Sequence, residues 1–207
     1  MDVSEKEVNL AICLKIAERV RALGYRVLLT RDGDYRINSE ERLDLNEDGE
    51  VDSADEVLAR ADLVNEAGVD LLLSIHQNAF YGEGAEDVGG TETLYCAERP
   101  FAEASYRFAC LVHEEVLRAL RESGYEPRDR GVLRDEHINV PGAKGKHLLL
   151  LGPKTDRIAI PSEMPGVLSE TLFVTNDTEA ELLQRLDAQD ALAAGYAKAV
   201  DAYFRGE

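Results

Sequence analysis

The chain has 207 residues, of which 44% are hydrophobic, and a formal net charge of −18 at pH 7. This hydrophobic fraction excludes an intrinsically disordered protein, and the length suits one domain with a full core. The negative charge makes nucleic acid a poor partner because its phosphates would be repelled. No apolar run is long enough for a membrane span. We therefore expect residues 1–207 to form one soluble, monomeric domain.

The pattern of apolar residues predicts helices that alternate with strands. In chain order the predicted elements are helix 6–23, strand 25–30, helix 54–67, strand 69–76, strand 91–96, helix 101–122, strand 148–151, a strand ending at 173 and a closing helix. Thr178 and Glu181 have the spacing of a capping box for the closing helix. The alternation predicts an α/β fold in which a mixed, mostly parallel sheet carries helices on both faces.

His76 follows the apolar run 69–73 and stands at the end of a predicted buried strand. In α/β sheets, ligands bind just beyond the carboxyl ends of the strands. Ser74 and Asn78 flank the histidine and can orient its ring. The position is that of a metal ligand or catalytic base, and equally that of a hydrogen-bonded core histidine.

Two carboxylates accompany this histidine. Glu5 opens the first helix, where a negative charge is also favoured by the helix dipole alone, and Glu7 competes for the same role. Glu170 lies near the end of an apolar strand, so burial is expected to raise its pKa toward the range of a general base. A surface carboxylate is the alternative for Glu170, which the apolar residues on both sides of it disfavour.

A helix-start Glu, a strand-end His and a strand-end Glu, in this order, resemble the zinc-dependent N-acetylmuramoyl-L-alanine amidases. Further segments are similar to that family: the Thr-Arg turn at 30–31, the helix at 60–65, the strand at 90–95, the short motif at 130–132 and the closing helix up to 204. The order of these segments, more than any single one, carries the resemblance.

The resemblance implies a peptidoglycan hydrolase that cleaves the amide between N-acetylmuramic acid and L-alanine. It implies that Glu5 and His76 bind Zn²⁺ and that Glu170 acts as the base or acid. Arg31 and Arg60 are interpreted as structural residues that bind carboxylates or carbonyls. A location outside the cell or in the cell envelope follows from the resemblance alone, because charged residues directly follow Met1 where a signal peptide would be apolar.

One departure from the family pattern concerns the start of the chain. Members of the family begin with a strand that ends in Asp-Pro-Gly-His-Gly-Gly, whose histidine is a further zinc ligand, and the 207 residues contain no Gly-His-Gly. Two of three expected protein ligands are thus present. We expect the missing strand to lie upstream of Met1, or the chain to be a fragment. A degenerate relative that binds cell wall without cleaving it is the alternative.

An acidic insertion at 43–58 has the spacing of a calcium-binding loop. Oxygen ligands stand at positions 1, 3, 5, 9 and 12, glycine stands at position 6, and position 7 would contribute its backbone carbonyl. The predicted ligands are Asp44, Asn46, Asp48, Glu50, Asp52 and Asp55. The pattern resembles the EF-hand loop, and more closely its dockerin version, which also has Asp at position 12. Val51, at position 8, is expected to pin the loop to the core. A solvated acidic turn and a calcium-dependent interaction module are the alternatives.

The remaining candidate groups receive no chemical role from the sequence. Cys13, Cys96 and Cys110 form no Cys-x-x-Cys pair and are interpreted as small buried hydrophobic residues. His113 is expected to be exposed on the long helix. His147 lies in an irregular insertion at about 134–164 and is left unassigned.

Overall fold

The structure, a computed structural model, describes residues 3–39, 43–137 and 146–206. Its helices are α1 (Glu5–Ala22), α2 (Ser53–Glu66), α3 (Ala102–Glu122), α4 (Asp177–Gln184) and α5 (Leu186–Arg205). Its strands are β1 (Leu72–Asn78), β2 (Thr91–Tyr95), β3 (Asp129–Arg134) and β4 (Gly166–Phe173). Single 3₁₀ turns lie at Ile37–Ser39, Ala85–Asp87 and Asp135–His137.

The four strands form one sheet in the order β1-β4-β2-β3. β1 pairs with β4 and β2 with β3 in parallel, whereas the central β2–β4 pair is antiparallel. The sheet is therefore mixed and mostly parallel, which confirms the predicted fold class. Because of these strand directions, the carboxyl ends of β1 and β4 lie at one end of the sheet, and those of β2 and β3 lie at the opposite end.

Both faces of the sheet are covered, as predicted. The larger core packs α1, α3 and α5 against one face, and its centre is the fully buried ring of Tyr196. The Tyr196 hydroxyl lies 2.8 Å from the hydroxyls of both Ser169 and Thr171 on β4, so its polar group is satisfied inside the core. The smaller core packs α2 and the segment around Leu150 against the other face.

The predicted helices lie within small shifts of the observed ones. At the start of α2, two side chains form hydrogen bonds that explain where the helix begins. The Asp52 side chain accepts a hydrogen bond from the Ala54 amide, while the Asp55 side chain accepts one from the Asp52 amide. This reciprocal capping box satisfies backbone donors that the first helical turn leaves free. At the other end of the chain the predicted capping box is wrong, because Asn176 is the N-cap of α4 and accepts from the Glu179 amide.

Three predicted elements differ from the structure. Residues 25–29 are extended but belong to no strand, because they pair with no neighbouring strand among the described residues. Residues 148–151 form a buried turn rather than a strand, since the amides of Leu151 and Gly152 both bond back to the Leu148 carbonyl. The closing helix is divided into α4 and α5 at Arg185, whose backbone is extended.

Two expectations about single residues are also wrong. His113 is buried rather than exposed, and its ring bridges the Thr93 hydroxyl and the Asp129 carboxylate at 3.3 and 2.8 Å. Val51 is 37% exposed and belongs to neither hydrophobic core, so it does not pin the acidic loop to the core. The insertion at 134–164 falls partly outside the described residues, and what is described of it packs into the smaller core.

Candidate active site

The start of α1 meets the end of β1. Glu5 Oε1 lies 3.1 Å from His76 Nδ1, and it also accepts hydrogen bonds from the Gln77 amide and the Asn9 side chain. Glu7, the rival candidate, lies in the same first turn of the helix but is exposed. The structure thus places Glu5, and not Glu7, beside the histidine.

Glu170 stands on β4 directly opposite His76 on β1. Residues that face each other across a parallel ladder project to the same side of the sheet, so both side chains lie on the α2 side. Glu170 Oε2 is buried and has no hydrogen-bond partner among the residues that the structure describes. Buried carboxylate oxygens are normally bonded, so an oxygen of this kind marks a position where a ligand or a proton is expected.

The three groups shift one another's pKa values. Burial raises the pKa of Glu170 to about 7, and the charges of Glu5 and Glu92 also raise it against the opposing effect of His76. Burial would lower the pKa of His76, but the hydrogen bond that its ring donates to Glu5 and the charge of Glu170 outweigh this effect and raise that pKa. Burial would raise the pKa of Glu5, but His76 and the Gln77 amide hold it below its usual value. A carboxyl group poised near neutrality beside an ionised one suits acid–base chemistry.

A polar network that the sequence analysis missed borders these residues. Glu92 on β2 pairs with Glu170 in the central ladder and is buried. Its carboxylate accepts hydrogen bonds from the Asn78 amide group at 3.0 Å and from Arg130 Nε at 2.7 Å. Arg130 in turn lies over the Phe173 ring. The sequence did contain a signal for this network: Glu92 stands between Thr91 and Thr93 in an otherwise buried strand. A charged residue that is buried in this way requires a partner.

The residues present fit a zinc ion of the kind that the resemblance implies. Zinc in hydrolytic sites is held by imidazole nitrogen and carboxylate oxygen, and here His76 Nδ1 and Glu5 Oε1 converge next to the unpartnered Glu170 Oε2. Arg31 and Arg60 take no part in this set. Arg31 donates to the carbonyls of Gly33 and Lys6, and Arg60 pairs with Glu56.

A large groove borders the site. It has a volume of about 740 Å³ and is lined by residues 24–31, by the segment 67–76 and by side chains of α1. β1 is the edge strand of the sheet here, so its outer backbone groups face the groove. The groove therefore has an unpaired β-edge on one wall and an extended, unpaired segment on the other.

The acidic loop has ordered hydrogen bonds. The Asp44 carboxylate accepts from the amides of Asp48 and Gly49 at 3.1 and 2.8 Å, and the Asp48 carboxylate accepts from Glu50 at 2.9 Å. Asp55 is fully buried and accepts from the Leu45 amide at 2.7 Å. Gly49 adopts a positive φ of 91°, which a glycine tolerates best. The loop thus brings its first, fifth and twelfth positions into one turn.

The comparisons with known proteins decide the family. Residues 1–202 match the family described as N-acetylmuramoyl-L-alanine amidase. The chain belongs to this family. Members are peptidoglycan hydrolases, and this amidase is accordingly an enzyme of cell-wall turnover that cleaves the bond between N-acetylmuramic acid and L-alanine.

Individual relatives are distant but cover nearly the whole amidase chain. It is 23% identical over 201 residues to the germination-specific N-acetylmuramoyl-L-alanine amidase of Bacillus subtilis (strain 168), covering 97% of this chain and 70% of that protein. Its fold is similar to that of the CwlD amidase from Clostridioides difficile in complex with the GerS lipoprotein, with a TM-score of 0.72, 22% identity, and coverage of 99% of this chain and 88% of that one. It is also similar to the catalytic domain of CwlV, an N-acetylmuramoyl-L-alanine amidase from Bacillus (Paenibacillus) polymyxa var. colistinus, with a TM-score of 0.67, 24% identity, and coverage of 98% and 86%.

Within residues 3–39, 43–137 and 146–206 of the amidase, no helix has the length and apolar character that a membrane crossing requires.

Proposed function

We propose that the amidase works with Zn²⁺ held by Glu5 and His76, and that Glu170 is its general base and acid. The observation that supports this most is the convergence of His76 Nδ1 and Glu5 Oε1, 3.1 Å apart, beside a buried Glu170 oxygen without a partner. When bound, zinc would supply the Lewis acidity that activates water and polarises an amide carbonyl.

The protein groups have separate tasks in this proposal. Asn9 and the Gln77 amide fix the Glu5 carboxylate by hydrogen bonds, so that its orientation is set before any ligand arrives. Glu170 takes a proton from the attacking water and returns it to the leaving amine of L-alanine. In the metal-free protein burial already raises the pKa of Glu170 to about 7, which brings this carboxyl group toward the range that suits a general base and acid.

Zinc content and activity test the assignment together. His76→Ala should lose the zinc ion held at Glu5 and His76, and with it the lysis of purified peptidoglycan in a gel. His137→Ala, which alters an exposed histidine outside the site, serves as the matched control and should keep both. Full zinc content in His76→Ala would contradict the ligand assignment. Zinc binding and peptidoglycan binding without lysis in the unmodified protein would favour a non-catalytic wall-binding role.

We further propose that the groove beside β1 accommodates an extended strand that carries the third protein ligand. A strand there would run between two unpaired extended segments, and if parallel to β1 it would end next to Glu5 and His76. The test is an N-terminal extension with an apolar strand ending in Gly-His-Gly. It should raise zinc affinity and lytic activity, whereas the same extension with Gly-Ala-Gly should raise neither.

We also propose that the acidic loop at 43–58 binds Ca²⁺. Asp44, Asn46, Asp48, Asp52 and Asp55 would supply side-chain oxygens, and Glu50 its backbone carbonyl. The hydrogen bonds of Asp44 and Asp48 to later amides of the loop support this, because they fold the backbone around the two carboxylates. Since Asp55 also caps α2, bound calcium would stabilise the start of the helix that leads toward β1.

A monomer that acts outside the cell or in its envelope suits these roles. Peptidoglycan lies outside the cytoplasm, and the negative surface charge disfavours nucleic acid as a partner. Sedimentation of the purified protein at micromolar concentration tests the monomeric state.

A further inference from the structure

A second cluster of metal-binding groups lies at the opposite end of the sheet from Glu5 and His76. Cys96 Sγ, an Asp135 carboxylate oxygen and a His147 ring nitrogen all lie within 4.8 Å of one another. Cys96 directly follows β2 and Asp135 directly follows β3, and the pairing of Tyr95 with Arg134 places them side by side. The sheet itself therefore aligns two of the three groups.

A tight turn places His147, the third group, next to Cys96 and Asp135. The Leu148 amide donates to Asp135 Oδ2 at 3.1 Å, which fixes the backbone next to His147. The Gly152 amide donates back to the Leu148 carbonyl, and a Cβ on Gly152 would stand only 2.4 Å from that of His147. Arg99 holds the turn from outside by donating to the Gly152 carbonyl at 2.5 Å. The histidine thus has a defined position against the sheet.

The distances within the cluster suit a tetrahedral metal ion. His147 Nδ1 lies 3.5 Å from Cys96 Sγ and 3.0 Å from Asp135 Oδ1. A tetrahedral zinc ion with ordinary bond lengths separates a thiolate sulfur from an imidazole nitrogen by about 3.6 Å, and a carboxylate oxygen from that nitrogen by about 3.4 Å. Small adjustments of the side chains would therefore admit the ion.

Glu98 lies next to the side of the His147 ring that is remote from the cluster. Its Oε2 lies 3.4 Å from His147 Nε2, the ring nitrogen that faces away from Cys96 and Asp135. A carboxylate that holds the distal nitrogen of a histidine fixes the tautomer and the orientation needed for metal binding through the other nitrogen.

Charge and burial favour a divalent cation here. Asp135 is fully buried and Cys96 nearly so, and the neighbouring Glu136 has a buried oxygen that bonds to none of the described residues. One thiolate and one carboxylate balance the two charges of Zn²⁺, which removes the cost of an uncompensated buried anion.

We propose that Cys96, Asp135 and His147 form a second, structural Zn²⁺ site, distinct from the catalytic one. The site ties the turn at 147–152 to the ends of β2 and β3 and thereby fixes part of the insertion against the smaller core. A mixed sulfur, nitrogen and oxygen donor set is typical of zinc rather than of calcium or magnesium.

Cobalt substitution tests the proposal by a signal that the catalytic site cannot produce. Co²⁺ bound to a thiolate gives a sulfur-to-cobalt charge-transfer band in the near ultraviolet, and Glu5 and His76 offer no sulfur. We expect this band on titration of the intact protein with Co²⁺, at the same intensity in Cys110→Ser, and its loss in Cys96→Ser. Added Zn²⁺ should abolish it by displacement.

A surface variant keeps the test decisive if Cys96→Ser fails to fold. The Glu98 side chain is 63% exposed, so Glu98→Gln should fold normally while weakening Co²⁺ affinity at least about tenfold, as loss of an outer-shell partner does. Absence of the band in the intact protein, or its survival in Cys96→Ser, would overturn the proposal and leave a hydrogen-bonded cluster without a metal.

Discussion

Glu170 faces His76 across the β1–β4 ladder and faces Glu92 across the β4–β2 ladder. One residue of the central strand therefore has a metal-ligand candidate on one side and a buried carboxylate on the other. Arg130 and Asn78 bind Glu92, so its charge is compensated, whereas no group in the described parts of the chain binds Glu170 Oε2. This asymmetry makes Glu170 the carboxylate available for proton transfer.

The role of Glu170 predicts a selective loss of turnover. Glu170→Gln should reduce the rate of peptidoglycan hydrolysis at least about a hundredfold, because the amide cannot accept the proton of the attacking water. Zinc content should stay unchanged, since Glu5 and His76 are intact. Glu181→Gln, on the exposed face of α4, is the control and should keep full activity. Near-normal turnover of Glu170→Gln would show that another group is the base.

The raised pKa of Glu170 predicts a pH-dependent stability of the metal-free protein. Its folded pKa of about 7 exceeds the ordinary 4.5, so the folded state binds more protons between these values. The free energy of unfolding should therefore fall as pH rises through this window, by up to about 3 kcal/mol. Urea unfolding in the presence of a chelator at pH 5 and pH 8 measures it. Glu170→Gln should lack this component, and identical pH profiles for the two proteins would contradict the prediction.

Calcium binding predicts a stabilisation that depends on one carboxylate of the loop. Millimolar Ca²⁺ should raise the melting temperature of the protein, and Asp48→Ala should abolish the rise while zinc content stays the same. Glu50→Ala is the matched control, because position 7 would contribute only its backbone carbonyl, so the calcium effect should persist in it. An unchanged melting curve of the intact protein with Ca²⁺ would exclude the site.

Glu179 predicts a large structural effect away from the active site. This fully buried carboxylate accepts hydrogen bonds from the Gly90 amide at 2.8 Å, the Phe173 amide at 2.6 Å and the Tyr125 hydroxyl at 2.6 Å. Glu179→Ala should lower the free energy of unfolding by about 3–5 kcal/mol, because three buried donors lose their acceptor. Thermal or urea unfolding measures it, with Glu181→Ala as the exposed control. A change below about 1 kcal/mol would show that water replaces the carboxylate.

Local patterns were sufficient to predict much of this fold. Apolar periodicity gave α1, α2 and α3 nearly to the residue, and the apolar runs before His76 and around Glu170 became β1 and β4. These elements are predictable because a helix or a buried strand follows mainly from which of its own side chains are apolar. The order of Glu5, His76 and Glu170 along the chain likewise predicted the family.

Pairing between distant segments decided the rest. Residues 25–29 have the composition of a strand but lack a neighbour to bond with, and residues 148–151 fold into a turn because their amides bond back to the Leu148 carbonyl. Arg130 lies in a strand that the sequence alone did not indicate.

Glu92, 78 residues before Glu170, became part of the site only through the antiparallel ladder between β2 and β4. Cys96 and His147, 51 residues apart, meet because a turn returns the chain to the end of β2. The apolar pattern of a segment favours helix or strand, but whether a strand forms and what it meets depend on pairing and on the register of the sheet, which no local pattern contains.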